Sequence, residues 1–229
     1  MAPDTSGELT VMSATLEPLA VVSIDDAVVL VVDDDAGLRQ ALGSLFRSVD
    51  IKVRSYASAA ELLDDELPDV PCCLLLDVRL RGASGLDLQA RLAKLGVEIP
   101  IVFMTGHGDI AMTVTAMKAG AVDFITKPFR DQDLLDAVAT ALDKDRQRRL
   151  GSQRLSALRA RHQTLSPREA EVMGLAVRGL LNKQIAGEIG ISEVTVKIHR
   201  GQAMRKMKAR TFADLVLMAQ QLGVRVAVD

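Results

Sequence analysis

The chain has 229 residues, 48% of them hydrophobic and 25% charged, which is long for one domain and comfortable for two. Its formal net charge of −2 conceals a polarity: residues 1–143 carry 11 Lys or Arg against 23 Asp or Glu, and residues 144–229 carry 17 against 7, so an acidic module joined to one that meets a polyanion is expected. The only cysteines, Cys72 and Cys73, are adjacent within an apolar run, which argues against a disulfide framework or thiolate metal site and fits a reducing cytoplasm; with no Trp and a single Tyr56, the chain also lacks the stacking platforms of single-strand binders.

Residues 1–26 contain no Lys or Arg and no long apolar run, which argues against a signal peptide or a membrane span there; a flexible tail is expected. From residue 27 to 143, short apolar runs alternate with helical patterns. Ala27–Val32, Ile51–Ser55, Cys72–Leu76, Ile101–Met104 and Val122–Ile125 are predicted strands. Ser58 and Ser84 stand as N-caps before predicted helices. The alternation predicts a doubly wound, flavodoxin-like α/β domain with a five-stranded parallel sheet, in which ligands bind beyond the carboxyl ends of the strands. From Asp131 the pattern stays helical and becomes basic. Gly151-Ser152 is expected to break it, with residues 144–161 as a helical, basic linker.

Residues 162–229 read as all-helical. Ser166-Pro167-Arg168-Glu169 supplies an N-cap, a proline at the first helical position and a reciprocal glutamate, and Gly179 closes that helix. A short helix follows from Asn182 with Ile185, Ala186 and Ile189 on one face, and Gly190 suits the left-handed residue that ends it. The next helix starts at the Ser192 N-cap and runs to about Met207. On it Val196, His199, Ala203 and Met207 share the face expected to pack inward. The opposite face carries Val194, Lys197, Ile198, Gly201, Arg205 and Lys208. Two helices joined by a tight turn, with the charge on the second, form a helix-turn-helix. An exposed isoleucine between cations suits the major groove of double-stranded DNA. A packed, hydrogen-bonded His199 is expected rather than a metal ligand. The last helix, from Thr211, aligns Phe212, Leu215, Val216, Ala219 and Leu222 in a stripe. Part of it must pack on the domain, and Phe212, Leu215, Val216 and Ala219 are the candidates for a homodimer contact.

The strand ends of the first domain carry its chemistry: Asp33, Asp34 and Asp35 after the first strand, Asp77 after the third, Thr105 after the fourth and Lys127 after the fifth. An Asp run alone could be a solvated turn or a helix cap. A hydroxyl and an amine arriving at the same sheet edge change that reading. Clustered carboxylates repel, and a hard cation such as Mg²⁺ relieves them. A carboxylate nucleophile, a cation, a hydroxyl and an ammonium together make a phosphoryl-transfer site.

The strings VVDDD, LLLDVRL, FMTGHGD and AMKAGAVDFITKPF resemble a bacterial receiver domain of the FixJ subgroup, with a CheY-like fold, over residues 27–143. The resemblance implies that Asp77 is phosphorylated by a partner sensor histidine kinase. It implies that Asp34, Asp77 and the backbone carbonyl of Arg79 ligate Mg²⁺, with Asp33 acting through metal-bound water. Thr105 and Lys127 would hold the phosphoryl group, Lys127-Pro128 would be cis, and Phe124 would occupy an aromatic switch position. Leu80-Arg81 stand where the family usually has Met-Pro, so Arg81 adds a cation beside the site. Arg79 and His107 are expected to line the path of the hydrolytic water.

Residues 162–225, with LSPREAEVMGLAVRGLLNKQIAGEIGISEVTVKIHR, resemble the LuxR/NarL-type DNA-binding domain. That resemblance puts DNA contacts on Lys197, Ile198 and Gly201, supported by Lys183, Thr195 and Arg205. The whole then reads as a cytoplasmic DNA-binding response regulator of a two-component phosphorelay. In it, phosphorylation at Asp77 controls dimerisation and DNA binding and so regulates, in the activating direction, transcription by RNA polymerase. It would be no enzyme beyond accepting and losing its own phosphate. Two other classes compete: an aspartyl-phosphate phosphatase, which leaves residues 162–225 unexplained, and a DNA-binding protein whose first domain is only a dimerisation scaffold.

Overall fold

The computed structural model describes residues 27–106 and 110–224; the tail at 1–26 and His107 lie outside the described residues. Five strands form one parallel sheet, β1 (Val28–Val32), β2 (Lys52–Tyr56), β3 (Cys72–Asp77), β6 (Ile101–Thr105) and β7 (Asp123–Thr126), apolar throughout in the central β1, β3 and β6 up to their last residue and partly exposed in the edge strands β2 and β7. The strand order is β2-β1-β3-β6-β7, and β4 (Arg79–Leu80) with β5 (Ala83–Ser84) makes a separate two-stranded hairpin. The expected strands are present, with each end displaced by a single residue or not at all.

Successive strand residues point to opposite faces, and a sheet covered on both sides reads as continuous apolar runs. Leu30, Val32, Leu74, Leu76 and Phe103 pack one face against α2 (Ala59–Asp64), α3 (Gly85–Lys94) and α4 (Ile110–Lys118). Val29, Val31, Cys73, Leu75, Val102 and Met104 pack the other against α1 (Ala36–Ser48) and the first half of α5 (Asp131–Gln163). Cys72 and Cys73 are free and buried, and burial pushes both thiols up, so they act as small hydrophobes.

The expected break at Gly151-Ser152 does not occur. The helix α5 runs unbroken for 33 residues, about 50 Å at 1.5 Å per residue. A mid-helix glycine weakens a helix by only about 1 kcal/mol and, unlike proline, removes no donor. Both ends of α5 are held by burial. Leu134, Val138, Ala141 and Leu142 belong to the core of the first domain. Leu158 packs with Met173, Ala203, Met207 and Leu215 in the second.

Between these anchors lies an ionic cluster that sequence pattern does not reveal. The Asp145 carboxylate is fully buried, accepts the backbone N–H of Cys72 at 3.0 Å and pairs with Arg148 and Arg149 at 2.7 Å each. Arg149 also reaches Asp69 at 2.9 Å and the carbonyl of Pro68 at 3.0 Å. This fastens α5 to the start of β3.

The second domain comprises α6 (Pro167–Val177), α7 (Asn182–Ile189), α8 (Glu193–Met207) and α9 (Phe212–Gln221), packed with the end of α5. No helix among the described residues is long and apolar enough to cross a membrane. Removing one partner of a buried ionic cluster strands the others. Asp145→Ala should therefore lower stability to chemical denaturation by roughly 3 kcal/mol, near the low end for such clusters because both arginines are partly wetted.

Candidate functional site

At the carboxyl edge of the sheet, β1 and β3 are adjacent in register, with Val32 opposite Leu76, so Asp33 and Asp77 leave neighbouring strands side by side. Asp33 is fully buried, Asp77 is 9% exposed and Asp34 half-buried. One carboxylate oxygen from each lies within 4.8 Å of the other two. Three acidic oxygen ligands at this spacing fit a hard divalent cation such as Mg²⁺. The third aspartate of the run plays a different part. Asp35 is the N-cap of α1, its side chain accepting the N–H groups of Gly37 and Leu38.

Lys127 enters from the end of β7, beyond which it forms a cis bond to Pro128. Its ammonium donates to Asp33 Oδ2 at 2.7 Å and Asp77 Oδ2 at 2.8 Å. Burial works against the charge of Lys127, but the hydrogen bonds to the two carboxylates overcome it and raise its pKa above the ordinary value. Burial likewise raises Asp33, against the lowering effects of Lys127 and of the Asp35 N–H, which donates to Asp33 Oδ1 at 2.8 Å. Arg39 secures the same turn by donating to the carbonyl of Asp33 at 2.6 Å. Thr105 is buried at the end of β6, its carbonyl accepting the Lys127 N–H at 2.6 Å. Phe124 is half-buried opposite Phe103 in the sheet, ring centroids 6.3 Å apart.

The loop after Asp77 turns back at once. Arg79 N–H donates to Asp77 Oδ1 at 3.1 Å, and Arg81 Nε donates to Asp34 Oδ2 at 2.8 Å. A residue overlooked in the sequence is Gly85, where α3 begins. A Cβ built there would lie 2.4 Å from the Asp77 carbonyl oxygen and 3.1 Å from Leu76 Cγ, so only glycine lets the helix approach the acidic residue this closely. Gly85→Ala should destabilise the chain by about 1–3 kcal/mol in urea unfolding, because backbone rather than a flexible side chain must move.

In the second domain, Gly190 adopts the left-handed conformation (φ 70°) that ends α7, and Ser192 caps α8 by accepting the Thr195 N–H at 3.1 Å. Val196, Ala203 and Met207 are fully buried, whereas Val194 (69% exposed), Ile198 (53%), Lys197, Gly201, Arg205 and Lys208 face outward. Lys183 is exposed on α7, whose inward face holds the buried Ile185 and Ala186. The Thr195 hydroxyl is engaged with Ser192 Oγ at 2.8 Å. His199 is packed and half-buried, but its buried Nδ1 finds no hydrogen-bond partner among the described residues, contrary to the expected bond. Arg200, not singled out in the sequence, lies 4.3 Å over the Phe212 ring and donates to Asn182 Oδ1 at 3.2 Å, tying α8 to both neighbours.

The stripe on α9 requires a correction. Leu215 and Ala219 are fully buried in the core beside Leu158 and Met207, and Phe212 lies under Arg200. Leu215 and Ala219 are therefore not available for the dimer contact expected of them. Val216 remains half-buried, and Leu217 is a large apolar residue of the helix that is exposed, at 58%.

The start of α6 forms the expected reciprocal cap, Ser166 N–H to Glu169 Oε2 at 2.7 Å and Glu169 N–H to Ser166 Oγ at 3.3 Å. It also carries an unforeseen partner: Lys206 of the basic helix donates to Glu169 Oε2 at 2.6 Å. Lys206 first, then the Ser166 N–H, holds Glu169 below the usual carboxylate range. A depressed folded-state pKa contributes stability that is present above the unfolded value and lost as pH falls through the folded one. Glu169→Gln should cost about 1–2 kcal/mol near neutral pH. In acid unfolding series the difference from wild type should shrink as pH drops below the ordinary glutamate range.

Comparison with known proteins agrees with the two halves. Residues 29–139 match the family described as response regulator receiver domain, and residues 163–219 match bacterial regulatory proteins of the luxR family. Nodulation protein W of Bradyrhizobium diazoefficiens is 56% identical over 198 residues, covering 86% of this chain and 87% of that protein. Response regulator protein TmoT of Ectopseudomonas mendocina is 48% identical over 198 residues, 86% of this chain and 90% of its own. Among solved structures, the response regulator StyR superimposes with a TM-score of 0.77 at 45% identity, over 85% of this chain and 98% of that one.

Proposed function

Because the chain belongs to the response regulators that join a receiver domain to a luxR-type DNA-binding domain, we propose that Asp77 is its phosphoacceptor and that the acyl phosphate controls DNA binding by α8. The observation that carries this reading is Lys127 bridging Asp33 and Asp77 at 2.7 and 2.8 Å within a carboxylate cluster. An Asp77 carboxylate oxygen attacks the phosphorus of a phosphohistidine on a sensor kinase. The new O–P bond forms as the N–P bond breaks, and the departing imidazole is left to take up a proton. Lys127 keeps its bond to Asp33 and transfers the other from Asp77 to a phosphoryl oxygen, which the Thr105 hydroxyl also meets. Asp34, Asp77 and the Arg79 carbonyl would hold Mg²⁺, with Asp33 acting through water, and the ion would supply neutralisation of the transferring oxygens. Movement of Thr105 and Lys127 toward the phosphate is the event that Phe124 would report to the rest of the domain.

Residues 144–161 serve as the helical connector. Lys197, Ile198 and the backbone at Gly201 would read the major groove, with Lys183, Thr195 and Arg205 positioned for phosphates. A dimer on DNA would use the outward part of α9, at Val216 and Leu217. The chain acts in the cytoplasm with its kinase, DNA and RNA polymerase, as an activator by its resemblance to the FixJ subgroup. Its own phosphate uptake and loss are its only chemistry.

DNA footprinting with and without acetyl phosphate, at fixed salt, tests both ends of the chain. Wild type should bind more tightly with the phosphodonor, and Asp77→Asn should not respond. Lys197→Ala should weaken binding and reduce the salt slope by about one if it meets a phosphate. An Asp77→Asn protein that responds like wild type, or no response in either, would favour the scaffold reading.

A further inference from the structure

The cation that Arg81 adds to the site is not merely nearby. Its guanidinium reaches across 47 residues of sequence to bond Asp34 Oδ2 at 2.8 Å, on one of the three carboxylates that converge on the cation position. The backbone that delivers it is anchored on both sides. Arg79 pairs with Ser84 and Leu80 with Ala83 in the β4–β5 hairpin, and Leu80 is 8% exposed. The side chain itself is 87% exposed, while that of Asp34 is 25% exposed. A solvent-facing cation on a fixed stalk therefore caps a ligand carboxylate from the outside.

We propose that Arg81 is a tethered competitor of the divalent cation: its guanidinium occupies Asp34 in the metal-free receiver and must leave before Mg²⁺ takes that carboxylate. The inference rests on the metal reading given under Proposed function. Asp33 is already bonded by Lys127 and by the Asp35 N–H, and Asp77 by Lys127 and the Arg79 N–H, so Asp34 is the ligand whose occupant is held most loosely. Displacing an exposed pair is cheap, and the competition is correspondingly modest and sensitive to ionic strength. The function of such an arrangement is to set the Mg²⁺ concentration at which the receiver becomes competent.

Titration of the full-length chain with MgCl₂ by isothermal calorimetry reads this directly, without phosphorylation. Arg81→Ala should tighten the Mg²⁺ dissociation constant about two- to five-fold, the range equivalent to one exposed ion pair. Arg81→Lys, which keeps the charge without the planar fork, should fall between it and wild type. The gap between wild type and Arg81→Ala should narrow as KCl is raised. Equal or weaker Mg²⁺ binding by Arg81→Ala overturns the proposal. Asp34→Asn distinguishes failure of the metal site from failure of the competitor. If it binds Mg²⁺ as wild type does, the metal reading itself fails and this inference with it. If it loses Mg²⁺ while Arg81→Ala matches wild type, only the role of Arg81 fails.

Discussion

Carboxylates emerging from neighbouring strands repel, and burying them aggravates the repulsion; the Lys127 ammonium is what allows Asp33 and Asp77 to share one edge of the sheet. Much of the acidic domain serves that arrangement. Register between β1 and β3 sets the two aspartates abreast, β7 brings the lysine, and Asp35 and Arg39 hold the turn after β1. The site is charged, close-fitting and short of positive charge. Those are the conditions under which a transferred phosphoryl group and a divalent cation alter the balance of forces.

The second domain is organised around a different need: an apolar core must be closed on one side of α8 so that the other stays free for a polyanion. Val196, Ala203 and Met207 close the core, and the Glu169–Lys206 pair and the Arg200–Phe212 contact brace α8 against α6 and α9. Both braces engage a cation of α8 within the protein. What is left outward, Lys197, Ile198 and Arg205, is a short surface of mixed apolar and basic character.

The sheet and its acidic edge were legible in the sequence because strand ends in a parallel sheet all point one way, so residues far apart in the chain could be gathered by position alone. The helix-turn-helix was legible through its caps, Ser166, Gly190 and Ser192. What sequence hid depends on a third dimension. The partners of Asp145 include a backbone N–H 73 residues away, and nothing local distinguishes this aspartate from a solvated one. Gly85 looks like an ordinary helix start until the Asp77 carbonyl is seen against it. The stripe on α9 was apolar as expected, but periodicity cannot tell an inward face from a dimer face, and Leu215 and Ala219 lie on the inward one. Gly151-Ser152 resembled a break because composition there changes. The burial that holds α5 on both sides of that point is invisible to composition.

A helix that contributes to two cores has a phase as well as a length. Each residue of α5 between Leu142 and Leu158 advances about 1.5 Å and turns about 100°, so the number of residues in that stretch sets the azimuth at which the basic domain is presented. One residue inserted there would swing α8 round by more than a quarter turn while leaving every side chain of both cores intact. Seven would nearly restore the heading, about 10 Å further out. Among related chains built this way, connector lengths would drift in whole turns, a periodic signature of the joint independent of which amino acids compose it.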